Sequence, residues 1–286
     1  MKSVDRNGNE IKQNETQNQM LGFLYQNKIG RIILSQLVKP WVSKAMGILL
    51  NLSVSKWLIG SFVKKNDIDL SEYEDRKYRS YNDFFTRKIK EGHRKIDEQP
   101  EHLIAPCDSK LSVYSISADA RFKIKDTLYT MESLLRSKKL ATHYEGGLLL
   151  IFRLTVDDYH RFCYTDNGVK TKNYKIPGVY HTVNPLANAV IPIYKENTRE
   201  FSIIKSENFG NILTMEVGAL LVGRIVNYHE KANVRRGEEK GKFEFGGSTI
   251  ILCLEKGRVI IDEDILANSL NGVETVVKMG EKIGIA

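Results

Sequence analysis

The chain has 286 residues, of which 42% are hydrophobic and 27% charged, and carries a net charge of +8. That size and mix suit a folded protein with a sizeable core, in one large domain or one domain with an appendage. The three cysteines (Cys107, Cys163, Cys253) form no Cys-x-x-Cys pair and the six histidines are scattered, so a disulfide framework or a metal site has no support and a reduced, intracellular setting is expected.

In chain order, residues 1–19 are rich in Asn and Gln, show no secretory signal, and read as a polar arm. From Thr16 to Asn66 there is no Asp or Glu, while Lys28, Arg31, Lys39, Lys44, Lys56, Lys64 and Lys65 interrupt runs of Leu, Ile, Phe, Val and Trp. No run reaches the roughly 20 apolar residues of a membrane span. The pattern predicts basic amphipathic helices lying on an anionic membrane surface, with Trp41 and Trp57 as anchors. Soluble helices packed on the body are the plainer alternative, but their outer faces would normally include acidic residues. Nucleic acid fits less well, because no reader motif accompanies the basic residues. Asp67–Arg79 reads as a helical linker, and an Asn or Asp at 82–83 as the cap of a short helix bearing Phe84 and Phe85.

Beyond Pro100, β-type runs alternate with turns: Lys110–Ile116, Ala120–Ile124, Gly147–Leu154, Val169–Tyr174, Ile191–Ile193, Phe201–Ile204, Ile212–Val217, Leu220–Val226, Thr249–Leu254 and Val259–Ile261, with one helix at Met131–Leu140. The fold class expected is α+β: an antiparallel, β-rich, sandwich-like catalytic body with N-terminal amphipathic membrane-associated helices. Residues 1–79 form the arm, surface helices and linker, and 80–286 the catalytic domain.

Three polar features stand out in the body. Asp108 enters a strand, His160 follows an apolar run in Asp158-Tyr159-His160-Arg161-Phe162-Cys163, and Ser248 sits in Gly246-Gly247-Ser248-Thr249 between two strand-like runs. Each has a bland reading: a turn carboxylate, a structural histidine, a glycine bulge. Together they suit base-activated serine chemistry. No Gly-x-Ser-x-Gly elbow is present, so a serine hydrolase ranks last. The carbonyl just before Ser248 is instead a target within the chain itself. His181, in a turn-rich segment, is a second candidate base.

These stretches resemble the bacterial phosphatidylserine decarboxylases of the shorter kind with a Gly-Gly-Ser-Thr motif. The likeness runs through Asn82–Arg87, Ala105–Asp108, Asp158–Phe162, Val183-Asn184-Pro185, Ser206–Gly210, Met215–Ala219, Gly237–Gly241 and Phe245–Thr249. It implies autocatalytic cleavage between Gly247 and Ser248 into a β chain of residues 1–247 and an α chain of residues 248–286, held as a heterodimer. Ser248 becomes a covalent pyruvoyl group, whose ketone forms a Schiff base with phosphatidylserine and releases phosphatidylethanolamine and CO2. It also implies a peripheral place on the cytoplasmic side of the cell membrane. Asp108 matches the relay aspartate and His160 the first histidine of a His-Arg-x-His arrangement. Cys163 stands where the second histidine belongs, and a thiol is not an imidazole base. His160 is expected to serve as acid/base, with His181 as the alternative relay. Competing readings are a pyruvoyl decarboxylase of a soluble amino acid and a membrane-binding module with a degenerate, unprocessed site.

Overall fold

The computed structural model describes residues 2–11, 22–124, 127–183, 192–220, 224–246 and 248–286. Gly247 and the Asn184-Pro185 stretch, both named above, lie outside the described residues, as does Ile191. The fold is mixed α+β, with mostly antiparallel sheets and N-terminal helices.

A ten-stranded sheet organises the body. Its main path runs Ser3–Val4, Glu274–Val277, Ser109–Ser115, Leu148–Leu154, Ser248–Leu254, Asn211–Val217, Arg199–Ser206, Gly168–Lys170 and Ala232–Val234. Tyr174–Ile176 also pairs with Arg199–Ser206. Every named pair is antiparallel except the first, Ser3–Val4 with Glu274–Thr275. The start of the polar arm is therefore tied into the sheet, and Arg6 adds ion pairs to Asp262 and Asp264.

The Ser248–Leu254 strand lies near the middle, and all seven of its residues are buried. It carries the apolar run Ile250-Ile251-Leu252-Cys253-Leu254 because neighbours flank both edges and protein covers both faces. Its register sets Ser248 opposite Leu154 and Thr249 opposite Val217. Lys110 pairs in turn with Arg153. One end of the sheet thus gathers Ser248, the Leu154–His160 connection, Gly218 and the Asp108 strand entry.

A three-stranded sheet, Arg224–Asn227, Glu239–Glu244 and Arg161–Cys163, supplies Phe162 and Phe243 to the main core. A buried ion pair, Lys240 Nζ to Glu216 Oε1 at 2.7 Å, joins it to the large sheet.

The N-terminal helices form as expected. Asn27 caps Lys28–Leu37 by accepting from the Ile29 N–H at 2.8 Å, and Pro40 opens Pro40–Asn51 at a position where its missing N–H costs nothing. Among the described residues no single helix is long and apolar enough to cross a membrane. Pro40–Asn51 and Ser53–Lys65, bent by 79°, reach that length and composition only as a pair.

Other expectations need correcting. Asp67–Arg79 is not a helical linker. It holds one short 3-10 turn, Leu70–Glu72, because its backbone pairs across to Lys88–Lys90 and buries Tyr73. The cap of the Tyr81–Phe85 helix is Ser80, whose hydroxyl accepts from the Asp83 N–H, while the Asp83 carboxylate is taken by Arg76. Met131–Leu140 splits into Met131–Leu135 and Lys138–His143, where Arg136 turns left-handed at φ 54° and Ser137 caps the second piece. Ile193 begins a short helix, Ile193–Glu196, instead of ending a strand.

The stretch 248–286 is woven through the rest. One strand is central, Glu274–Val277 pairs with Ser109–Ser115, and Lys282–Ile285 pairs with His102–Ile104. Burying Ile250, Ile251, Leu252 and Leu254 contributes roughly 1.5–3 kcal/mol each. Arg153 and Glu274, both buried, add a two-pronged ion pair at 2.8 and 2.5 Å across the same boundary. Glu274→Ala leaves that guanidinium buried and alone, with an expected loss of about 3–5 kcal/mol. Denaturant unfolding measures it, and a loss below about 1 kcal/mol would contradict this reading of the pair.

Candidate active site

Ser248 is fully buried and its Oγ has no hydrogen-bond partner among the described residues. The turn that leads to it is strained. Phe245, a residue with a Cβ, stands at φ 26°, and Gly246 follows at φ 109°, which suits glycine. The Phe245 ring is held between Tyr81 and Phe85, at 5.4 and 5.5 Å. Phe85 also packs against His160, the rings tilted by 41° with centroids 4.1 Å apart. The turn before Ser248 and the imidazole therefore share one aromatic cluster.

His160 is also fully buried. Its Nδ1 lies 2.8 Å from the Asp158 carbonyl oxygen. A carbonyl only accepts, so Nδ1 carries the proton and Nε2 keeps a lone pair. Nε2, like Ser248 Oγ, has no partner among the described residues. Burial lowers the pKa of His160 to about 4, so the ring is neutral at physiological pH and able to accept a proton.

What holds the imidazole is Asp158, whose own carboxylate is fixed by Lys110 Nζ at 2.7 and 2.8 Å and by the Thr155 N–H and hydroxyl. Sequence reasoning quoted Asp158 only as part of a motif. Its place two residues before His160, where its carbonyl reaches back to the ring, was the available signal.

Asp108 is buried, but its hydrogen bonds go elsewhere. Arg94 Nη2 donates at 2.7 Å, the Met279 N–H at 2.8 Å and Lys278 Nζ at 3.4 Å. None goes to His160. Lys278 and Met279 lie downstream of Ser248, so Asp108 clasps the segment that cleavage would release.

Cys163 packs on the segment leading to Asp108. Its N–H donates to the Pro106 carbonyl at 2.9 Å and its Sγ lies 4.0 Å from the Ala105 carbonyl. Burial pushes its thiol up to about 12. It stays protonated, with nothing to offer as a base.

His181 sits apart from the aromatic cluster. Its Nδ1 is 3.3 Å from the Tyr25 hydroxyl and its main chain is clasped by Asn197. Asn197 also donates to the Gly218 carbonyl at the sheet end, at 2.8 Å. Burial lowers the His181 pKa. No contact joins it to Ser248, His160 or Asp108.

A cleft of about 230 Å³ opens beside Asp108, between 66–73 on one side and Asp157–Tyr159, Arg94 and Lys278 on the other. A larger hollow of about 710 Å³, lined by Asn167–Val169, Lys205–Glu207 and Asn233–Arg235, contains none of these site residues. Arg161 is committed to Glu239 at 2.5 Å and to the Thr86 and Arg87 carbonyls.

A buried serine hydroxyl with no described partner, after a Gly-containing turn and at the head of a central strand, is the arrangement of a nucleophile turned toward its own chain and not of a hydrolase with an open serine. The residues present fit a serine destined to become a pyruvoyl group. Comparison with known proteins gives the particular family. The phosphatidylserine decarboxylase family model matches residues 81–285. The chain is 47% identical to phosphatidylserine decarboxylase proenzyme 2 of Clostridium acetobutylicum over 268 residues, covering 93% of this chain and 92% of that one. It is 41% identical to the proenzyme of Fusobacterium nucleatum, covering 98% and 96%, and 43% identical to that of Clostridium tetani, covering 93% and 91%. The chain belongs to the phosphatidylserine decarboxylase family, whose reaction converts phosphatidylserine to phosphatidylethanolamine on a pyruvoyl group made from a serine.

Proposed function

We propose that this chain cleaves itself between Gly247 and Ser248 and then decarboxylates phosphatidylserine, with His160 as the proton-transfer group. The observation that carries this reading is the pair of buried, unpartnered atoms, Ser248 Oγ and His160 Nε2, at one end of the sheet. His160 Nε2 takes the serine proton as Oγ bonds to the Gly247 carbonyl carbon, and returns it to the Ser248 nitrogen as the amide C–N bond breaks, leaving an ester and a free amine. Loss of the Ser248 Cα proton and cleavage of the Cβ–O bond release the Gly247 carboxylate. Water then displaces ammonia, and the pyruvoyl end remains. Relief of strain at Phe245 and Gly246 favours the first step.

The pyruvoyl group supplies a ketone beside an amide carbonyl, an electron sink that no encoded side chain offers. The Ser248–Leu254 strand fixes its position, being paired on both edges. Phe85, Phe245 and Tyr81 exclude water around it. Asp108, at the family's relay position, acts through Arg94, Lys278 and Met279, keeping residues 248–286 docked after the break.

Residues 1–79 are read as the membrane-surface part and 80–286 as the decarboxylase part. Ile29, Ile32, Trp41, Ile48, Val54 and Trp57 are all exposed, an apolar surface interleaved with lysines and without acidic neighbours. The inner side of Trp57–Lys65, through Ile59, Phe62 and Val63, packs with Leu50 of Pro40–Asn51 on Tyr81, Phe84 and Phe85. The helices placed on the bilayer thus also roof the aromatic cluster, which favours a lipid substrate over a soluble amino acid. Product analysis tests this: with phosphatidylserine vesicles and free serine offered separately, only the vesicles should release CO2 and accumulate phosphatidylethanolamine. Turnover of free serine at a comparable rate would overturn it.

A further inference from the structure

Arg87 is fully buried and forms no ion pair with a described residue. Its Nε and Nη1 have no hydrogen-bond partner among the described residues. Only Nη2 is engaged, with the Tyr73 hydroxyl and the Asp157 carbonyl, each at the long distance of 3.3 Å. The other buried guanidiniums are accounted for: Arg153 by Glu274, Arg161 by Glu239 and Arg199 by four main-chain carbonyls. A guanidinium is always charged and presents its donors as a rigid planar fork. Removing it from water with half the fork empty is costly unless an anion completes it. The Tyr73 and Phe84 rings, 4.4 and 5.0 Å away, balance part of the charge but fill none of the in-plane N–H positions.

Its surroundings tie it to the candidate site. Tyr73 and Asp157, the two groups Arg87 touches, line the cleft that also contains Asp108. Phe85, two residues earlier, packs against His160, and the Arg87 carbonyl accepts from Arg161, the residue after His160. Arg87 does not itself line the cleft, whose wall also carries Asp67, Asp69, Glu72 and Asp158; it meets the cleft through Tyr73 and Asp157, and the imidazole through its neighbour Phe85.

We propose that Arg87 binds the phosphodiester of the phosphatidylserine headgroup, an inference that rests on the decarboxylase reading above. The carboxylate is the weaker choice. It leaves as neutral CO2, so a cation held on it would stabilise the ground state more than the transition state. The phosphodiester keeps its charge throughout, and a cation on it anchors substrate and product alike.

The test uses full-length Arg87→Gln and Arg87→Lys chains in detergent micelles of defined phosphatidylserine content, with phosphatidylethanolamine as product inhibitor and self-cleavage followed on gels. Both variants should still cleave, since processing involves no phospholipid. For Arg87→Gln the KM should rise roughly 10- to 100-fold, the loss of a hydrogen-bonded charge, with little change in kcat. The phosphatidylethanolamine inhibition constant should rise by the same factor, because the product retains the phosphodiester. Arg87→Lys should recover part of both. A raised KM with an unchanged inhibition constant would move the partner to the carboxylate and overturn the proposal. Unchanged KM would overturn it too, and loss of self-cleavage in both variants would make Arg87 a structural residue. A wild-type chain that cleaves but releases no CO2 would instead strike at the decarboxylase reading.

Discussion

A Ser248→Ala chain is expected to remain a single 32.7 kDa species indefinitely, with no CO2 release above background. The loss is total because one residue serves twice: its Oγ is the nucleophile that opens the chain, and the rest of it becomes the electrophile. The variant should nonetheless fold. The Oγ it removes is buried and makes no hydrogen bond with a described residue, so its loss strands none of them and stability should hold or rise slightly. Thermal unfolding beside a denaturing gel separates the two effects. An uncleaved chain with an unchanged Tm supports the account, while normal cleavage of Ser248→Ala would end it.

The second large effect is at His160. Removing a positioned general base costs about 10²- to 10⁴-fold, so His160→Ala should slow release of the 39-residue fragment, residues 248–286, by that factor. Cys163→Ala should cleave within a few-fold of wild type, because its thiol is protonated and its nearest polar contact is a carbonyl at 4.0 Å. His181→Ala should also stay close to wild type, since its ring is engaged with Tyr25 and not with the serine. A large loss at His181 with none at His160 would transfer the role.

The same histidine sets an acid limit. Its pKa in the folded chain is lowered to about 4 from an ordinary 6.5. The unfolded chain therefore binds the proton first as pH falls. Its contribution to stability is fully present above about pH 6.5 and is lost progressively down to about pH 4, on the order of 3 kcal/mol in all. Cleavage should keep its rate down to roughly pH 5 and then fall as the buried ring is protonated. A His160→Asn chain should show a shallower fall in stability over that interval.

How far the molecule can be read from its residues depends on whether local pattern or distant partners decide each part. Ser248–Leu254 and Leu148–Leu154 are legible because an apolar run with adjacent β-branched residues suits little but a buried strand. Strands of three residues such as Arg161–Cys163 and His102–Ile104 carry no period of their own and exist because longer strands pair with them. Asp67–Arg79 has a helical composition, yet pairing with Lys88–Lys90 and burial of Tyr73 override it.

The site divides in the same way. Ser248, His160 and Asp108 stand in motifs that name themselves. The clasp of Asp108 by Arg94, Lys278 and Met279 joins positions 14 to 171 residues apart in sequence and has no local trace. Arg87 closes a readable motif, but the fact that its guanidinium is left without an anion is visible only once its surroundings are assembled.

The claim on which everything rests is a single broken peptide bond, and the intact mass of the purified wild-type chain under denaturing conditions tests it most directly. The account predicts two species, residues 1–247 and the 39 residues that follow, the smaller one lighter by one ammonia than the same fragment beginning with serine. A folded protein that gives only the undivided 32.7 kDa mass, or a small fragment with an ordinary serine amine at its start, would contradict it.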